Sequence, residues 1–303
     1  MMSATTLDGR FRAAVAAMDA GDLAGLERLL SEYPMLAVAR LEQPGQWLRD
    51  QAGDAVDGFF KSPYLLWFIA ADPDRGRPVP RNAVALATAI IAAARQAGAP
   101  DIQTQLDYAL RLVCWSVPAR ATGLLIDLVA LLVAEGAGLD GRDLYDGRFG
   151  THAEAALYNG NDDAARFLLA RGAPVTLSAA LCLGRWADAD RLLARADAGD
   201  KADAFVLAAM KGKVAALRRM LALGISPDTV SLRNQSHAGA LHHAVWSRSL
   251  AAVKLLVEAG GDLARRDTIY KGTPLDWALH GASQARTEDA VAEYRAIADY
   301  LRR

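Results

Sequence analysis

Gly272-Thr273-Pro274-Leu275-Asp276-Trp277-Ala278 announces the start of a helix. A threonine hydroxyl can accept a hydrogen bond from the free amides of a first turn. Proline is tolerated there because its missing N–H would have had no partner. The small Ala278 lets a neighbouring helix approach closely. Upstream, Leu241-His242-His243-Ala244 begins one amphipathic stretch, and Val253-Lys254-Leu255-Leu256-Val257-Glu258-Ala259 forms a second. Gly260-Gly261-Asp262 closes it, with glycine supplying a left-handed helix end.

The same unit recurs: an Ala-rich apolar stretch, a Gly-polar turn, a second amphipathic stretch, then Gly or Pro. Phe11 to Asp19 with Leu23 to Leu30 is the first copy, and Ala153 to Tyr158 with Ala164 to Ala170 is a clear one. Leu177 to Leu183 with Ala187 to Ala194 follows, then Phe205 to Met210 with Val214 to Leu223, and Leu241 to Trp246 with Leu250 to Ala259. The last unit starts at Gly272. The turn glycines Gly160, Gly184 and Gly212 stand 24 and 28 residues apart. Helix pairs of that period cannot bury their apolar faces alone and must stack on their neighbours.

The Gly272 to Ala278 segment resembles the Gly-Thr-Pro-Leu-His-x-Ala opening of the ankyrin-repeat family. Leu241 to Ala244 with Val253 to Asp262 looks like the middle and end of the same unit. Gly150-Thr151 with Ala155-Ala156 and Gly160 is a weaker copy, and Ala208-Ala209 with Gly212 is another. The resemblance runs from about Phe149 to Trp277 and extends to Phe11 to Leu30. It implies an all-α, ankyrin-like helical solenoid with short hairpin-like connections. It also places His242 at the family's usual histidine, where the ring bridges backbone of adjacent repeats.

Residues Pro34 to Ile102 depart from the pattern. Ser62 to Trp67 could open a degenerate unit, with Asn82 to Gln96 as its second helix. Asp72 to Pro80 holds three prolines and a glycine and reads as loop. Gln105 to Trp115 and Leu124 to Ala134 suggest another helix pair. The organisation expected is therefore divergent helical repeats or an N-terminal helical extension over 1–148, followed by ankyrin-like repeats over 149–303.

Of the 303 residues, 52% are hydrophobic and 23% charged, enough apolar material for a continuous core without metal or disulfide staples. The net charge of -1 lacks the basic surplus of a nucleic-acid binder. Cys114 and Cys182 sit in apolar helical patterns and read as small buried hydrophobes. Gly123 to Val133, the most apolar stretch, contains Asp127 and is shorter than the roughly 20 residues that span a bilayer. No basic-then-apolar leader is visible at Met1 to Gly9. A cytoplasmic protein is expected.

All five histidines, His152, His237, His242, His243 and His280, fall in the clear repeats. His242 and His243 are helix neighbours whose rings point about 100° apart, which suits no shared metal. Glu154, His242 and Asp276 occupy equivalent positions, where capping or bridging backbone is the plainer role. Trp246 and Trp277 lie within first helices, where core packing is the plainer role. No phosphate loop, nucleophile elbow or zinc spacing appears, so no catalytic residue, metal ligand or cofactor is assigned.

Three connections are long and polar: Asp140 to Phe149, Ser226 to Ser236 and Arg265 to Lys271. Loops on a rigid scaffold concentrate binding function, and Tyr and Arg are common anchors. Tyr145, Arg148, Arg266, Tyr270, His237 and Trp246 are therefore the candidate partner contacts. The expected function is a protein-binding scaffold using a concave groove and finger loops. Another protein is the expected partner, with neither nucleic acid nor membrane. The alternative is a small-molecule binder or enzyme with a pocket between the divergent half and the repeats.

Overall fold

The computed structural model describes residues 4–144, 150–233 and 235–302. Among them the regular structure is helical throughout, with no strand. The chain divides into two compact units, 1–147 with 151–174, and 148–150 with 175–303.

The first unit begins with α1 (Ala4–Asp19) and α2 (Leu23–Glu32), joined by Gly21 at φ +68°. Asp22 caps α2, accepting from the Gly25 N–H at 2.9 Å. Phe11, Val15 and Met18 of α1 and Leu26 and Leu30 of α2 are buried. Next come α3 (Met35–Val38), α4 (Gln46–Ala52), α5 (Ala83–Gln96), α6 (Ile102–Trp115), α7 (Val117–Ala121) and α8 (Leu125–Ala134). The unit closes with α9 (His152–Tyr158) and α10 (Asp162–Ala170), which pack on α6 and α8 respectively.

The segment expected to open a degenerate helical unit at Ser62 to Trp67 instead forms a 3-10 helix, Leu65–Ala70. Pro63 lies just before it and Pro73 just after, and residues preceding proline avoid helical backbone. All six of its side chains are buried. Trp67 meets Tyr108 with ring centres 4.4 Å apart, and Phe68 meets Phe60 at 5.1 Å. The 72–80 loop is fastened by a two-pronged ion pair, Arg75 to Asp19 at 2.7 and 2.8 Å, with both side chains nearly buried. Arg111 of α6 is fully buried. Its guanidinium donates to the Thr151 carbonyl at 3.2 Å and to the Gly141 carbonyl.

The second unit is the regular one. It contains α11 (Leu177–Cys182), α12 (Trp186–Leu193), α13 (Ala198–Met210), α14 (Val214–Ala222), α15 (Ala240–Trp246), α16 (Leu250–Glu258), α17 (Pro274–Gln284) and α18 (Glu288–Leu301). First helices pack in succession, α11 on α13, α13 on α15 and α15 on α17. Second helices do the same from α14 through α16 to α18. Helix α13 starts at Ala198, earlier than its apolar pattern at Phe205, because Asp197 caps the polar first turn and accepts from Asp200 N–H at 2.8 Å. Capping boxes open α9 (Thr151 with Glu154) and α17 (Thr273 with Asp276). At Gly281 a Cβ would lie 2.5 Å from the Tyr294 ring, so α17 and α18 approach through that glycine.

Candidate functional site

Two finger-like connections of the second unit stand side by side. The first, Ser226 to Ser236, is tied to its helix by Ala240 N–H donating to the Thr229 carbonyl at 3.0 Å. The second, Arg265 to Lys271, closes where Asp267 N–H donates to the Gly272 carbonyl at 3.0 Å. Thr268 N–H donates to the His237 carbonyl at 2.8 Å, which holds the second finger against the base of α15.

Asp267 organises the second finger. Its carboxylate accepts the backbone N–H groups of Ile269 (2.9 Å), Tyr270 (2.6 Å) and Gly272 (2.9 Å), and the Trp277 indole N–H (3.0 Å). Burial alone would raise this carboxyl. The four hydrogen bonds outweigh it and hold the group down at about 2.

Trp277 is the hub of a row of rings. Its centre lies 5.8 Å from His237, 5.2 Å from His242, 6.1 Å from His243 and 6.1 Å from Trp246. His237 continues the row to Tyr270 at 6.0 Å, and Trp246 continues it to Tyr294 at 6.5 Å. The core placement expected for the two tryptophans is corrected here: Trp246 is 54% exposed and Trp277 half-buried. Trp246 is the last residue of α15, so its own helix has no later turn to cover that face. The buried histidines of the row are neutral at physiological pH. Burial pushes His243 down to about 4 and lowers His242 as well.

Of the candidate contacts, His237 and Trp246 meet the Trp277 ring, Tyr270 adjoins it through His237, and Arg266 sits on the same finger with its guanidinium on the Lys271 carbonyl. Tyr145 and Arg148 lie outside the described residues. Glu154, His242 and Asp276 take the roles expected of them. Glu154 accepts from Thr151 N–H at 2.9 Å, Asp276 accepts from Thr273 N–H at 2.8 Å, and His242 Nε2 bonds the Gly272 carbonyl of the next repeat at 3.1 Å. Two finger residues had not been singled out as contacts: Leu232, 93% exposed, and Ile269, 62% exposed. The signal for them is an aliphatic side chain inside a polar connection.

Helix, polar turn, second helix, glycine end and projecting finger follow one another in register, with a histidine bridging successive repeats. The fold is ankyrin-like. No protein-family model matches the chain, and no curated protein does. One solved structure that it is similar to is the human ASB11 ankyrin repeat domain, at 20% identity over 76% of this chain and 96% of that chain, with a TM-score of 0.36.

Among the described residues no group of three or more His, Cys, Asp or Glu side chains is placed to hold a metal ion. No helix among them is long and apolar enough to cross a membrane. Cys114 and Cys182 are buried and not joined in a disulfide, and burial pushes the Cys114 thiol up to about 12.

Proposed function

We propose that the chain is a protein-binding scaffold that meets its partner with the fingers of its second unit and the rings behind them. The observation that carries this reading is the exposed apolar and aromatic residues Leu232, Ile269, Tyr270 and Trp246 on the fingers and helix end of the repeat scaffold. Single exposed hydrophobes are ordinary, whereas several grouped on loops and helix ends are characteristic of an interaction surface. Tyr and Trp supply large contact area at low entropic cost. The concave side of the repeats is the surface expected to continue the contact. Two buried cysteines not joined in a disulfide suit a reducing compartment such as the cytoplasm.

The test is affinity capture of the partner from native cell extract, then calorimetry with a quadruple variant, Tyr145→Ala, Arg148→Ala, Arg266→Ala and Tyr270→Ala. Binding is expected to weaken by at least about 2 kcal/mol, a common cost for truncated anchors. The exposed substitutions Arg266→Ala and Tyr270→Ala should each shift stability by no more than about 0.5 kcal/mol. A folded variant that binds in full would move the site away from the fingers.

A further inference from the structure

By sequence the finger from Arg265 to Lys271 is mixed in charge, with Asp267 among Arg265, Arg266 and Lys271. The fold takes the anion off the surface. Asp267 is 2% exposed, with its oxygens spent on three backbone N–H groups and an indole. Arg265 is half-buried, with its guanidinium on the Asp228 carbonyl, and the other two cations stay outside. The Arg266 side chain is 64% exposed, and Lys271 is exposed with its ammonium on the Thr268 carbonyl. The adjoining finger adds Arg233, whose exposed side chain is paired with the buried Asp203 at 3.2 Å. Asp276 lies 3.9 Å from Arg266, and its Oδ2 is occupied by the Thr273 cap. Exposed Ile269 and Tyr270 lie along the finger between Arg266 and Lys271, and exposed Leu232 directly precedes Arg233 in the adjoining finger.

We infer that this surface takes an acidic, extended protein segment, with apolar side chains seated on Ile269 and Tyr270 and carboxylates meeting Arg266 and Lys271. The inference rests on the protein-binding reading above and adds the chemistry of the partner. Charge complementarity of this kind sets partner choice and association rate. A single-stranded nucleic acid would also meet cations and rings, but it stacks bases on open ring faces. Here Trp277 is flanked by three histidine rings, and of the exposed apolar finger residues Leu232, Ile269 and Tyr270 two are aliphatic and offer no stacking face.

A random peptide display library, panned against the full chain, tests the inference. The enriched peptides should combine Asp and Glu with aliphatic or aromatic residues. Their affinity should fall at least about tenfold in the Arg266→Gln/Lys271→Gln variant and fall again as salt rises. Enrichment of basic or uncharged peptides, or affinity unchanged in that variant, overturns it. Peptides lost by Ile269→Ala/Tyr270→Ala but kept by the glutamine variant leave a protein-binding finger with a partner that is not acidic. Tighter binding of oligouridylate than of any enriched peptide overturns the inference in favour of nucleic acid. No enrichment at all counts against both the acidic partner and the binding role of the fingers.

Discussion

At the third helical position of α15, His242 points Nε2 at the Gly272 carbonyl, 3.1 Å away in the next repeat. A carbonyl only accepts, so Nε2 carries the proton, and burial keeps the ring neutral. Replacing His242 with Ala removes one of the two hydrogen bonds to that carbonyl, leaving it the Asp267 N–H alone, and takes a ring away from Trp277. Stability should drop by about 1 to 3 kcal/mol in chemical denaturation; an unchanged midpoint would show that the bridge contributes nothing. Asp267 makes a pH-dependent contribution. Its folded pKa, about 2, lies below the ordinary 3.8, so the ionised form stabilises the fold. That stability is fully present above about pH 5 and is lost as pH falls through about 2. The stability gap between wild type and Asp267→Asn should therefore be largest near pH 6 and shrink toward about pH 2.5, as read from urea midpoints. A gap that stays constant would mean that the carboxylate is not the stabilising species.

Helix pairs are the next scale, and α17 with α18 shows the balance between local and tertiary terms. Glycine inside a helix costs about 1 kcal/mol relative to alanine. Gly281 is nevertheless required, because a Cβ there would lie 2.5 Å from the Tyr294 ring. Overpacking costs about 1 to 3 kcal/mol, more than the propensity gain. Gly281→Ala should thus destabilise the wild type yet stabilise a Tyr294→Ala background by up to about 1 kcal/mol, in a double-mutant cycle followed by thermal unfolding. The same sign in both backgrounds would show that the ring is not the obstacle. Helix ends were legible in advance. Thr273-Pro274 and Thr151 place their caps through contacts only three residues apart, and the turn glycines do the same by backbone conformation alone. The 3-10 helix Leu65–Ala70 was not legible, since its apolar run suits a longer helix until the flanking prolines and the rings of Phe60 and Tyr108 are considered together.

Across the whole molecule, a net charge of -1 conceals local sign, and composition could not disclose a basic finger. What the sequence by itself determined is the all-helical repeat, because apolar period, caps and glycine turns act over a few residues. The bridging role of His242 followed from the family resemblance, and the capping by Glu154 and Asp276 from their shared position at the start of a helix. Only the tertiary structure decided that Asp267 turns inward, that Trp246 stays half in solvent, and that Arg111 is buried on two carbonyls. Each of those outcomes depends on partners elsewhere in the chain. Trp277 lies ten residues beyond Asp267, and Thr151 lies forty beyond Arg111. Whether a charged or aromatic side chain faces water is set by which distant groups fill its hydrogen bonds and cover its faces, and a local pattern carries no record of them.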